Sequence, residues 1–163
     1  MPTTRPDIVA DAVLIRDALV GDAERIAELL EGGSLHPGAE DPKDREPYEE
    51  ALAEILGDPG PSTVLVAEVD GLVIGTCQLL VLRHLQRRGG RCLEIESMHV
   101  DAAWRNRGIG AMLLEAATER GTALGCYRVQ LTSNVERTDA HRFYETNGFV
   151  ASHLGFKWAA PSS

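Results

Sequence analysis

The sequence is poor in cysteine, has no long apolar run and carries no repeat. Three cysteines (Cys77, Cys92 and Cys126) occur in 163 residues, with no Cys-x-x-Cys spacing. A disulfide framework and a zinc ribbon are therefore not expected, and a reducing cytoplasm is the expected location. No apolar stretch approaches the ~18 residues of a spanning helix, so no spanning helix is expected. The opening MPTTRPDIVADAVLIRD lacks a basic region followed by an apolar core and a small-residue cleavage site, so no secretory leader is expected. His36, His84, His141 and His153 are too scattered to form a metal site. Low-complexity tracts and linkers are also missing, so residues 1–163 are expected to form a single domain.

What is present is globular. Apolar residues make up 44% and charged residues 25% of a 17.7 kDa chain, enough for a real core and unlike a disordered tail or a coiled coil. The net charge of −9 disfavours nucleic acid and anionic membrane as partners. It is unevenly placed: residues 1–58 hold 15 acidic and 5 basic residues, while residues 59–163 hold 10 and 11.

Periodicity predicts strands at Ala12–Ala18, Thr63–Val69, Leu72–Leu82, Cys92–Val100, Tyr127–Thr132 and Val150–Trp158. It predicts helices after an Asp22 cap, from Tyr48 to Leu56, from Gly108 to Leu124 and from Thr138 to Thr146. Asp70-Gly71 is a hairpin turn and Gln86–Arg91 a basic loop. This order gives an α/β (α+β) fold, a mixed sheet with helices on its faces.

The chemistry concentrates in Glu94–Ala111, EIESMHVDAAWRNRGIGA. Leu93 and Ile95 are apolar at odd positions, but Met98 and Val100 at even ones. Side chains alternate along a strand with period two, so this slip predicts a β-bulge, which frees backbone groups for an amide-rich ligand. Arg105-Asn106-Arg107-Gly108-Ile109-Gly110 then lies between that strand and an amphipathic helix. Glycine admits a ligand close to the backbone, the helix start offers N–H donors and a positive dipole end, and arginine adds charge; together these suit phosphate. The run is neither Gly-x-Gly-x-x-Gly nor a P-loop. A third segment, QLTSNVERTDAHRFYETNGF, places Asn134 at a strand end and Ala140, Phe143 and Tyr144 on one helix face. Asn134 suits either an amide ligand or a turn cap, and Tyr144 either catalysis or core.

Together, EIESMHVDAAWRNRGIGAMLLEAATERG and GCYRVQLTSNVERTDAHRFYETNGF resemble the GNAT superfamily of acetyl-coenzyme A-dependent N-acetyltransferases. The resemblance implies a mostly antiparallel central sheet of six to seven strands flanked by about four helices. It implies that Met98, His99 and Val100 hold the pantetheine arm and thioester carbonyl. Arg105, Asn106, Arg107, Gly108, Ile109, Gly110 and Ala111 would wrap the pyrophosphate. Asn134, Ala140 and Phe143 would lie along the pantetheine, and Tyr144 would protonate the departing thiolate. Acetyl-CoA is the expected donor, with no metal, and a homodimer is the expected assembly.

An amine is protonated at pH 7 and must lose a proton before it attacks. Glu96 matches the position of a family carboxylate that removes it; anchoring the acceptor and plain solvation are the other roles open to it. Glu94 has the same parity and is the reserve. A backbone N–H near Met98–Val100 can stabilise the oxyanion, an effect worth ~3 kcal/mol. The cysteines are expected to be small core residues, and His99 lines a groove or packs at the surface. The expected acceptor is a small-molecule primary amine. A protein or peptide amine, or a non-catalytic acyl-CoA-binding regulatory domain, are the alternatives. The acidic first third suggests a cationic acceptor, and the basic Arg83–Arg91 loop an acceptor bearing phosphonate or carboxylate.

Overall fold

The computed structural model describes residues 12–161. Five strands form one sheet in the order β1-β2-β3-β4-β5: β1 (Leu14–Asp17), β2 (Thr63–Val69), β3 (Leu72–Arg83), β4 (Arg91–Val100) and β5 (Cys126–Leu131). β1 to β4 pair antiparallel. Along β5, Gln130 meets Glu94 of β4 and Arg128 lies against Cys92, so these two strands run parallel. The helices are α1 (Ala23–Gly33), α2 (Glu46–Gly57), the four-residue turn α3 (Gln86–Gly89), α4 (Ile109–Ala123) and α5 (Thr138–Thr146). Contacts divide the chain into two compact units at Gln130–Leu131.

The sheet of the first unit is covered on both faces. Val64 and Val66 of β2 join Leu29 of α1 and Leu52 of α2 in one core cluster. Leu65, of opposite parity, faces Met112 of α4. Ile109, Leu113 and Ala117 give α4 a fully buried stripe at helical spacing. That helix sits close because of Gly75 on β3, where a Cβ would lie 3.1 Å from Leu113 Cδ1 and 3.3 Å from the His99 carbonyl oxygen. Asp70 (φ 50°) and Gly71 (φ 80°) make the expected hairpin turn, left-handed at both central residues.

Two expectations are corrected. Among the described residues the sheet has five strands, not six to seven, because Val150–Trp158 forms no strand: residues 149–161 carry no regular structure. An extended segment becomes a strand only when its N–H and C=O groups find a ladder partner. Asp22 does not cap α1 through its side chain. Its carboxylate accepts from the Leu19 N–H at 2.8 Å and from Arg16 at 2.7 and 3.1 Å.

Candidate active site

The parity slip in β4 is a bulge. Thr76 pairs with His99 and Gln78 with Glu96, so two residues of β4, Ser97 and Met98, stand opposite Cys77 alone. Ser97 takes a left-handed φ of 51°, the kind of distortion that a bulge absorbs. The extra residue restores a common face to Glu94, Glu96 and His99. Gln78, beside Glu96, lines a cavity of ≈ 140 Å³ between α1, α2 and the sheet. Its walls include Ile26, Leu30 and Ile55, with Tyr48 and Ser97 at its polar side. His99 packs beneath the last turn of α1, so closely that a Cβ on Gly33 would overlap its ring. Glu94 accepts a 2.8 Å hydrogen bond from the Gln130 amide.

Beyond the bulge the chain turns into α4. The Asp101 N–H donates to the Ile74 carbonyl (2.8 Å), and its carboxylate accepts from the Ala103 N–H (2.8 Å). Arg25 of α1 pairs with that carboxylate and donates through Nε to the Val73 carbonyl at 2.9 Å. The Ala103 N–H holds the Asp101 carboxyl below its usual range; burial opposes this and Arg25 reinforces it. Arg25 thus latches α1 to the start of the loop. Sequence reasoning missed this residue, because nothing in an isolated helical arginine marks its partner 76 positions away.

Arg105 donates through Nε to the Val100 carbonyl at 3.0 Å, and the Arg107 guanidinium lies 5.1 Å from the centre of the Trp104 ring. Asn106 (φ 59°) and Gly108 (φ 81°) are left-handed, which turns the chain sharply into the helix. The ladder of α4 begins with the Met112 N–H on the Gly108 carbonyl. Helix geometry gives the N–H groups of Ile109, Gly110 and Ala111 no acceptor within the helix. A 15-residue helix ending in such donors, beside Arg107, is chemically fit for a pyrophosphate. The bulge likewise offers backbone groups to an extended amide chain. These features suit coenzyme A.

The second unit carries the remaining candidates. Asn134 Oδ1 accepts from the Glu136 N–H at 2.9 Å, and its carbonyl accepts from the Arg137 N–H and the His141 ring. The turn-capping role is therefore realised for its oxygen. On α5, Ala140, Phe143 and Tyr144 are half-buried. The Tyr144 ring meets Phe143 edge-on at 5.2 Å and Phe149 at 6.1 Å.

Two of the three cysteines are core residues, and Cys126 is half-buried. Cys77 and Cys92 are fully buried, and desolvation pushes the Cys77 thiol up to about 12, far from the range of a nucleophile. Among the described residues, no cluster of three or more His, Cys, Asp or Glu is placed to hold a metal ion, and no helix is long and apolar enough to cross a membrane. Part of the acidity of the first third organises its own loop. Glu31 accepts from the Gly38 and Glu40 N–H groups, and Glu40 accepts from the Tyr48 hydroxyl at 2.8 Å.

The family model for the acetyltransferase (GNAT) family matches residues 25–149. The chain belongs to that family and is an acyltransferase. It is 32% identical over 162 residues to glucosamine 6-phosphate N-acetyltransferase 1 of Oryza sativa subsp. japonica, covering 94% of each chain. It is 32% identical over 113 residues to the aminoalkylphosphonate N-acetyltransferase of Salmonella typhimurium, covering 69% of this chain and 72% of the relative. Among solved structures, a transcriptional regulator from Bacillus halodurans C-125 superposes with a TM-score of 0.86 at 34% identity, covering 91% of this chain and 99% of the other. Members of this family use acetyl-CoA.

Proposed function

We propose that this enzyme, working as a single acetyltransferase domain, transfers the acetyl group of acetyl-CoA to the primary amine of a small molecule. The observation that carries this reading is the β4 bulge, with Glu96 before it and the α4 N-terminus after it. Bound acetyl-CoA supplies an activated thioester carbonyl. The N–H groups of Ile109, Gly110 and Ala111, with Arg105, Asn106, Arg107 and Gly108, hold its pyrophosphate. Backbone groups of Met98, His99 and Val100 hold the pantetheine and polarise the carbonyl. Asn134, Ala140 and Phe143 support the same arm. Glu96 removes a proton from the acceptor ammonium, and Tyr144 gives a proton to the sulfur that departs. Reaction by direct transfer needs no enzyme nucleophile, in keeping with the buried thiol of Cys77.

Glu96→Gln and Tyr144→Phe test these roles. Proton transfer contributes ~10²–10⁴-fold, so each variant is expected to lose about 100-fold in kcat at pH 7. The KM for acetyl-CoA should change less than threefold. The Glu96→Gln loss should shrink as pH rises and more acceptor is neutral. Unchanged kcat in Glu96→Gln alongside a collapse in Glu94→Gln would move the base to Glu94.

We further propose a homodimer in a reducing, cytoplasmic compartment. Val150, Leu154, Phe156 and Trp158 are each more than 80% exposed and share one parity, as a strand awaiting a partner would. The three cysteines are unpaired.

A further inference from the structure

Five arginines gather at the opposite end of β4 from the bulge: Arg83, Arg87 and Arg88 around the β3–β4 turn, Arg91 opposite Arg83, and Arg128 on β5. Elsewhere, Arg16, Arg25, Arg45, Arg120 and Arg142 each hold a carboxylate. None of the ion pairs among the described residues involves any of these five. In a chain of net charge −9, five clustered arginines outside every salt bridge are unexpected, although the Glu94 carboxylate acts on Arg128 at longer range.

The cluster is built around Tyr127. The Arg87 and Arg128 guanidinium carbons lie 5.8 and 5.3 Å from the centre of its ring. His84 Nδ1 is 2.6 Å from its hydroxyl. The loop bends sharply here: Arg87 and Arg88 both take a left-handed φ (55° and 57°), which non-glycine residues rarely adopt. The Arg83 guanidinium ties the turn to the Gly89 carbonyl at 2.8 Å. At Gly90 the Tyr127 ring lies where a Cβ would have pointed.

Register links this cluster to the acceptor side of the site. Gln130 reaches Glu94, so Gln130 and Arg128 share the face of Glu94 and Glu96. Arg128 lies beside Cys92, four residues before Glu96, or about 13 Å along the strands. The Arg128 guanidinium lies over the Tyr127 ring and feels the charge of Glu94, which leaves a separation from Glu96 on the order of 10 Å. We infer that Arg128 and Arg87 form an anion subsite for the acceptor, so that the amine acetylated here carries a phosphate, phosphonate or carboxylate on the order of 10 Å from its nitrogen. This rests on the reading of Glu96 as the amine end of the site.

The test uses ω-aminoalkylphosphonates of increasing chain length beside alkylamines of equal length. The expected result is a KM at least tenfold lower for the phosphonate once the chain spans the gap, and little difference for short chains. Arg87→Gln/Arg128→Gln should abolish that discrimination with the acetyl-CoA KM unchanged, and Arg87→Lys/Arg128→Lys should keep most of it. Equal KM values for phosphonates and plain amines in the wild type would overturn the subsite while leaving the transferase reading intact. Calorimetric binding of the long aminoalkylphosphonate to the CoA-loaded protein separates the two ideas from the other side. Binding lost in the Gln variant without any turnover would keep the subsite and sink the base assignment. Inorganic phosphate should compete with the phosphonate acceptor; activation of transfer to plain alkylamines would make the cluster an effector site and overturn the acceptor assignment.

Discussion

At the residue scale, the close approach of Gly33 to His99 shows how far the site depends on small side chains. Gly33 ends α1, and the His99 ring, just past the bulge, fills the space where a Cβ would go. Gly33→Ala gains at most about 1 kcal/mol of helix propensity. It forces the ring aside at an overpacking cost of about 1–3 kcal/mol, so the cost wins. Urea denaturation is expected to show net destabilisation, relieved in Gly33→Ala/His99→Ala; an unchanged midpoint in the single variant would mean that the ring moves freely. His99 was legible in the sequence only as a histidine of opposite phase to its neighbours. Its partner was not, because helix periodicity says nothing about which strand residue lies under the last turn.

Among the elements, the bulge was the most legible, since the parity of Leu93, Ile95, Met98 and Val100 is a property of the sequence alone. The missing sixth strand was not. Val150, Leu154, Phe156 and Trp158 have the right alternation, but pairing is a long-range property that alternation does not carry. The arginine cluster was half legible: Arg83–Arg91 read as a basic loop, whereas Arg128 joins it only through the parallel pairing of β5. The Arg16 cluster has a similar origin. Its Nε donates to Glu68 at 2.7 Å and its Nη atoms to Asp22, fastening β1 to β2 and to the turn before α1. Burial raises the Asp22 carboxyl, but the Arg16 hydrogen bonds, the Leu19 N–H and the Arg16 charge outweigh it, and the net shift is downward. A depressed folded-state value means stability that is full above the unfolded value of ~3.9 and lost as pH falls through the folded one. Melting temperature should therefore drop below about pH 4. Asp22→Asn should cost about 1 kcal/mol at pH 7, given the partial exposure, and flatten that acid limb. An acid limb of the same depth in the variant would assign it to other carboxylates.

At the scale of the whole molecule, a fold shared with many transferases does not by itself define a substrate; the site must. An exposed run of apolar residues beyond α5 fits association with a second copy, and light scattering should give twice the 17.7 kDa chain mass. A monomer at micromolar concentration would contradict the dimer without touching the site. The proposed site holds acetyl-CoA in the loop from Arg105 to Ala111 and at the start of α4, beside the β4 bulge. Calorimetric titration of acetyl-CoA into the wild type and into Gly110→Glu tests it most directly. Micromolar binding is expected for the wild type and none for the variant, whose carboxylate would stand where the pyrophosphate belongs. Equal binding by both, or by neither, would contradict it.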